Sequence, residues 1–358
     1  MKRLHIANID FEAELSLTDS SGSLEKAWER QPLSLLLQYL PLLYAQPAEF
    51  VAVTAYPDIG FLQQLAAQSW RQGEPLPALV LLTDRQPLSG YECISWGYSK
   101  RVLGWTQERQ IAYIMPSDWS LIQRVNSKAY SFQYTPLDQA ALLWNISELQ
   151  KWMHSFEGKK VVKSCFGLSG KGNRIVETLS LDLISFCQKE WSQGRPVVAE
   201  PWLNRLFDFS TQWIITSEST IELIGSTVFE TNSHGVYQGT LVGAEALLFG
   251  EYLPFLAQHQ QSVRKALQKM AREGYFGHVG VDALLYYEGG EVKLYPIVEI
   301  NARKTMSWVM LELQRRWFKG QMIRFQFSSQ RGSDSFSLLP EKVGGYKPFK
   351  HRLTFASI

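Results

Sequence analysis

The sequence predicts a mixed chain, α/β at its amino end and α+β beyond, and three observations carry the prediction. Strand-like and helix-like segments alternate through about residue 120, the pattern of a small open α/β domain. A Gly/Ser-rich loop, Ser164 to Gly172, sits between two short β-like runs. Further on, VGVDALLYYEGGEVKLYPIVEINAR (279–303) breaks at Gly289-Gly290 into two β-rich halves, the signature of an antiparallel hairpin.

Taken in order, residues 3–9, Phe50 to Thr54 and Leu79 to Leu82 read as strands. Between them, Leu35, Leu36, Tyr39, Leu40 and Leu43 recur at helical spacing and predict a helix from Gln31 to Tyr44, with a second from Asp58 to Arg71. No G-x-G-x-x-G follows the first strand, where HIANIDFEAE stands, so the domain gets no dinucleotide role. Ser95 to Arg109 is aromatic, basic and helix-like, and Pro116-Ser117-Asp118 opens the next element. Helices are expected over 147–157 with a Ser cap, Ser180–Trp191, Gln261–Glu273 and Thr305–Trp317. Strands are expected over 212–229, and short strands and loops after 320.

Composition bounds the function. At 358 residues with 45% hydrophobic and 20% charged residues, the chain can bury a core in two or three domains. A net charge of +2 gives no pull toward nucleic acid or acidic membranes. Cys93, Cys165 and Cys187 have no metal-ligand spacing and an odd count, which points to a reducing cytoplasm. The charged amino terminus lacks a signal-peptide core, and no run reaches the ~18 apolar residues of a membrane span.

Three places carry candidate chemistry. A β run delivers Lys163 to the Gly/Ser loop, whose backbone N–H groups can close over phosphates while the lysine neutralises them. The loop is no Walker loop, since Gly172 follows Lys171. Val197 to Leu203 reads as a strand running into a hinge at Pro201, with Glu200 and then Asp208 placed to accept from an adenine amine and ribose hydroxyls. In the hairpin, Glu299 and Asn301 share a face. A two-residue turn centred on Gly289-Gly290 or Gly290-Glu291 sets Asp282 opposite residue 297 or 299, on that same face, whereas a three-residue turn would break the parity. Two carboxylates and an amide oxygen suit Mg²⁺, which takes few protein ligands and shares itself with phosphates. A solvated hairpin face is the plain alternative.

In this order, Lys128, Lys163 with its loop, the Glu200 hinge, Asp208, Asp282 and Glu299-Ile-Asn301-Ala-Arg303 resemble the ATP-grasp superfamily. The resemblance covers roughly residues 120–317 and implies two α+β lobes clasping a nucleotide, behind a pre-ATP-grasp domain at 1–119 and ahead of a carboxy-terminal extension, 318–358, packed on the catalytic lobe. It implies ATP and Mg²⁺, with Mn²⁺ as a substitute. Lys128 and Lys163 would contact the phosphates together with Ser164, Ser169 and Gly170 of the loop. Glu200, Trp202, Leu203 and Asp208 would hold adenine and ribose; Asp282, Glu299 and Asn301 the metal; and Arg303 would stand near the transferred phosphoryl group.

The implied activity is that of a ligase, phosphorylating a small-molecule carboxylate for attack by an amine or thiol. A small-molecule kinase and a nucleotide-binding regulatory protein without turnover are the alternatives. Gly280 stands where D-alanine ligase-like members carry arginine, while Arg303 is similar to the carboxylase and carbamoyl-phosphate pattern, with no biotin-acceptor sequence. Neither nucleic acid nor membrane is an expected partner, and a homodimer is compatible with the reading.

Overall fold

A computed structural model describes residues 1–17, 22–167, 172–231, 237–328, 336–346, 348–349 and 351–357. Three sheets organise them. The first contains β1 (Lys2–Ile6), β2 (Phe50–Val53), β3 (Ala78–Leu81) and β4 (Tyr91–Ser95), all parallel in the order β3-β2-β1-β4. Leu4, Ile6 and Ala52 pack into a cluster with Trp28, Val102 and Trp105, while Val51 and Val53 enter another with Leu36 and Leu40. Both faces are therefore covered, as a parallel sheet requires.

The helix expected from Gln31 to Tyr44 is two, Pro32–Leu37 and Pro41–Tyr44. Pro41 has no N–H, and its ring would clash with the carbonyl four residues back, so the first helix ends before it. The leucines stay buried because the break keeps both pieces on the sheet. Strand β4 was missing from the sequence pattern, because Tyr-Glu-Cys-Ile-Ser mixes polar and apolar residues. The helix behind it runs Lys100–Glu108, with the Ser99 hydroxyl capping Val102 N–H.

The second sheet contains β5 (Ala141–Leu143), β6 (Lys160–Lys163), β7 (Asn173–Val176) and β8 (Val197–Pro201), antiparallel in the order β5-β8-β6-β7. Helices Ile146–Met153 and Leu181–Trp191 cover one face through Leu149, Trp152, Leu183 and Cys187. The first of these is capped by Asn145, whose side chain accepts from Glu148 N–H, rather than by a serine. Alternation along the strands leaves Val161, Lys163 and Glu200 on the other face.

The third sheet has seven strands: β9 (Asn204–Ile215), β10 (Ile221–Thr231), β11 (Tyr237–Val242), β12 (Gly277–Glu288), β13 (Glu291–Asn301), β14 (Ile323–Ser328) and β15 (Arg352–Ser357). Their order is β13-β12-β9-β10-β11-β14-β15. The carboxy-terminal strands thus extend this sheet, while Leu338, Leu339 and Val343 pack with the amino-terminal leucines. Helix Leu253–Arg272 buries Val263, Ala266, Leu267 and Met270 against Trp213, Val279, Val281 and Ile300. It starts eight residues before the sequence pattern, because Pro254 opens its first turn and the polar run Gln258-His259-Gln260 hides the periodicity.

The hairpin turns on Gly289-Gly290, with Glu288 opposite Glu291. This register carried along unbroken would put Asp282 opposite Ile297. An irregularity between Asp282 and Leu284 takes up two extra residues of β13, so Asp282 faces Glu299. Pro296 lies in that stretch, where its missing ladder N–H does least harm. The shift is of two residues, so facing is conserved.

Gly280 faces a crowded spot: a Cβ there would lie 2.6 Å from Thr305 Cγ2 and 2.9 Å from Gln212 Oε1. Those two residues share a 2.7 Å hydrogen bond that ties β9, the neighbour of β12, to the capping residue of the helix Met306–Trp317. Gly280→Ala should therefore cost about 1–3 kcal/mol, measured by denaturant unfolding. A variant as stable as the wild type would show that this corner is slack.

Candidate functional site

Strands β8 and β9 are joined by Trp202 and Leu203 alone, so the second and third sheets meet at a two-residue hinge. A cavity of about 300 Å³ opens there. Its lining includes Lys128, Lys163, Glu200, Trp202, Leu203, Asp208, Asp282, Glu299, Asn301 and Arg303. These residues span 175 positions of sequence and come from both sheets and a helix. Ser164 stays out of the lining, its hydroxyl donating to Phe166 O at 2.7 Å within its own loop. Ser169 and Gly170 lie outside the described residues, as do residues 232–236 of the loop 230–239.

Each charged group is positioned by local chemistry. Lys128 opens the short helix Lys128–Ser131, and its N–H donates to Cys165 O at 3.0 Å, which ties it to the end of β6. Its Nζ donates to Glu299 Oε1 at 2.6 Å. Lys163 Nζ donates to Glu200 Oε2 at 2.5 Å, and Tyr295 OH donates to Glu200 Oε1 at 2.9 Å. Arg205 forks onto Asp208. Arg303 donates from Nε to Glu12 Oε1 at 2.7 Å and from Nη2 to Asn301 Oδ1 at 2.9 Å. The end of β13 is held by Ser131 Oγ, accepting from Ile300 N–H, and by Asn126 Oδ1, accepting from Ala302 N–H.

Asp282 is different. It is met by a neutral amide, Asn301 Nδ2 at 3.1 Å, rather than by a contacting cation. Burial and then the facing Glu299 charge push its carboxyl up to about 7. Burial works against the Lys128 ammonium, but Glu299 outweighs it and the pKa is raised. Positive charge is in demand at this pair and is met on one side only.

An all-oxygen donor set with surplus negative charge fits a hard divalent cation. Asp282 and Glu299 face each other, with Cβ atoms about 5 Å apart for such a pair, and Asn301 follows on the same strand face. Among the described residues no group of three His, Cys, Asp or Glu is placed to hold a metal ion unaided. A cation here would take its remaining ligands from water and phosphate, as Mg²⁺ does.

Sequence reasoning missed Glu12, Tyr295 and Arg205. Glu12 arrives from the amino-terminal domain across 291 residues, and no local pattern announces such a contact. Tyr295 reads as an ordinary strand aromatic. Arg205 sits three residues before Asp208, a spacing that pairs charges in helices but is unremarkable in a strand.

Neither a protein-family model nor a curated protein sequence matches the chain. Solved structures do. The biotin carboxylase domain of Hydrogenobacter thermophilus 2-oxoglutarate carboxylase, solved with MgADP, ADP and bicarbonate, superposes with a TM-score of 0.55. It is 11% identical over 99% of this chain and 85% of that one. Rhizobium etli pyruvate carboxylase gives 0.53 at 11% identity, over 86% of this chain and 36% of that one. The fold is ATP-grasp. A third ATP-grasp neighbour, biotin carboxylase from Campylobacter jejuni in a β-γ-ATP complex, gives 0.50 at 14% identity, covering 75% and 71% of the two chains. At these identities the shared property is the fold itself. Among the described residues, no helix is long and apolar enough to cross a membrane. The three cysteines are buried and free.

The raised Asp282 pKa has a signed consequence. The folded protein holds this proton more tightly than the unfolded chain, whose carboxyl titrates near ~4. The stability it contributes is full below that pH and is lost as pH rises through about 7. Without metal or nucleotide, Asp282→Asn should be more stable than wild type at pH 8, by on the order of 1–3 kcal/mol given partial solvent screening. At pH 4 it should gain nothing. Thermal unfolding at both values checks this, and an equal gain at both would remove the charge repulsion as its cause.

Proposed function

We propose that the protein is a Mg-ATP-dependent ligase that activates a substrate carboxylate as an acyl phosphate for attack by an amine or thiol. The observation that carries the reading is the convergence of Lys128, Lys163, Asp282, Glu299, Asn301 and Arg303 on one cavity between two sheets. Phosphoryl transfer asks a protein for positioning and charge neutralisation more than for covalent chemistry. Two ammonium groups, a guanidinium and a carboxylate pair provide those.

In this reading Trp202 and Leu203 wall the adenine, Glu200 accepts from its amine, and Asp208 accepts from the ribose. Lys128 and Lys163 exchange their carboxylate partners for phosphate oxygens. Mg²⁺, when bound by Asp282, Glu299 and Asn301, supplies the charge that neutralises the phosphates. Arg303, oriented by Glu12 and Asn301, faces the group being transferred. A substrate carboxylate is ionised at neutral pH, so no general base is needed for its oxygen to bond to the γ-phosphorus as the bond to ADP breaks. The amine or thiol then bonds to the acyl carbon, phosphate departs, and the nucleophile loses its proton.

Release of ADP should depend on a carboxylate and on Mg²⁺, and hydroxylamine should trap the acyl phosphate as a hydroxamate. A stable phosphorylated product would make the protein a kinase instead. Nucleotide binding without ADP release from any carboxylate pool would make it a binding protein. Glu299→Gln should lower Mg-dependent turnover by at least about 100-fold with a melting temperature close to that of the wild type. A variant that unfolds would give Glu299 a structural role.

A further inference from the structure

We propose that the carboxylate substrate carries an apolar body, aliphatic or aromatic, lying along the amino-terminal domain with its carboxylate toward Arg303. This rests on the ligase reading and adds the class of substrate. Ile9, Leu33, Leu37, Trp96 and Met306 also line the cavity. All five belong to, or pack on, a single hydrophobic cluster that joins the amino-terminal domain to the helix Met306–Trp317. A core that elsewhere is closed therefore runs out into the reaction cavity. Leu33 and Met306 are only partly buried there, so apolar surface stands uncovered in a concave site, where a ligand that removes it from water binds more tightly.

The polar groups beside this wall are already engaged. Thr305 Oγ1 donates to Gln212 Oε1 at 2.7 Å and accepts from Trp308 N–H at 3.2 Å. Ser307 Oγ accepts from Thr227 Oγ1 at 3.0 Å. Of the cations lining the cavity, Lys128, Lys163 and Arg205 are held by carboxylates of the second and third sheets. Arg303 is held by Glu12, three residues after Ile9, and the next residue's N–H, that of Lys304, donates to Trp96 O at 2.9 Å. Arg303 thus stands at the boundary between the apolar wall and the Asp282–Glu299 pair. A sugar phosphate or polyol would leave its hydroxyls and charge against leucine and tryptophan, at the cost of their hydration. A carboxylate with a hydrocarbon body matches both ends.

The test is calorimetric titration of the full chain, with Mg²⁺ and a non-hydrolysable ATP analogue, using straight-chain carboxylates from butanoate to octanoate, phenylpropionate, citrate and a phosphorylated sugar acid. The dissociation constant should fall about fourfold for each methylene until the wall is covered, and citrate and the sugar acid should bind more weakly than octanoate. Leu33→Asp should weaken octanoate binding at least tenfold and Leu33→Ala at least threefold, both with unchanged affinity for the analogue. If the aspartate variant fails to fold, the alanine variant decides. A flat series, tighter binding of the polar acids, or undiminished octanoate binding by the folded variants would overturn the proposal. Failure of the analogue itself to bind would overturn the ligase reading first. An analogue that binds alongside carboxylates that ignore chain length would overturn this inference alone.

Discussion

Two carboxylates set directly opposite each other on neighbouring strands repel, and the site is built around holding Asp282 and Glu299 that way. The arrangement depends on the bulge that lets β13 gain two residues on β12 near Pro296. A buried histidine supports it. Burial lowers the His259 pKa to about 4, so at neutral pH the ring carries one proton. Its Nδ1 lies 2.6 Å from Pro296 O, a group that can only accept, so the proton sits there. The other nitrogen, Nε2, is then the acceptor for Thr211 Oγ1 at 2.7 Å. The helix Leu253–Arg272, far from the cavity in sequence, thereby fixes the local register that brings the two acids face to face.

Such a pair is a cost to the resting protein. Lys128 offsets part of it through Glu299, and removing the Glu299 charge would remove the repulsion on Asp282 together with the ion pair. The same logic repeats around the cavity, with Lys163 on Glu200, Arg205 on Asp208 and Arg303 on Glu12. Each cation has an internal acid, and in the proposed function phosphate oxygens would replace those of Lys128 and Lys163. In the proposed function nucleotide and metal would be coupled by charge: a cation held by Glu299 would compete with Lys128 for that carboxylate, and phosphate would be a new partner for the ammonium.

Much of this was legible in sequence because it is local. Strand alternation put Glu299 and Asn301 on one face, and Gly289-Gly290 fixed a turn of even length, so the facing of Asp282 followed without knowledge of the bulge. The partner of Asp282 did not follow, since the unbroken register points to Ile297 and the bulge is set by His259 and Pro296 acting from different elements. Lys163 at the end of a β run before a glycine-rich loop was visible, but its contact with Glu200 across β6 and β8 is a fact of sheet order. Proline decided two misreadings: Pro41 split one apolar period, and Pro254 opened a helix whose apolar first turn is cut off from the rest of the pattern by the polar run Gln258-His259-Gln260. Glu12 was invisible, because nothing near it differs from an ordinary acidic helix.

Glu12 also ties the amino-terminal domain to the candidate site, although that domain has no nucleotide motif of its own. The short helix Phe11–Leu15 carries three buried acids around it: Asp10 takes Trp28 Nε1 at 2.6 Å and Arg101 Nη1 at 3.0 Å, and Glu14 takes the Ser99 hydroxyl at 2.6 Å. With its neighbours anchored inside the domain on both sides, Glu12 has one direction left, across the domain boundary to Arg303. The guanidinium is in turn fixed against Asn301, and Asn301 against Asp282. A continuous chain of hydrogen bonds therefore runs from the domain core to the carboxylate pair. The hydrophobic cluster beside it, from Leu36 to Val309, makes the same connection through packing. A domain joined to the hairpin in both ways has its position relative to the carboxylates set by the fold, and anything lying against Leu33 and Trp96 would thereby be placed at a determined distance from Asp282 and Glu299.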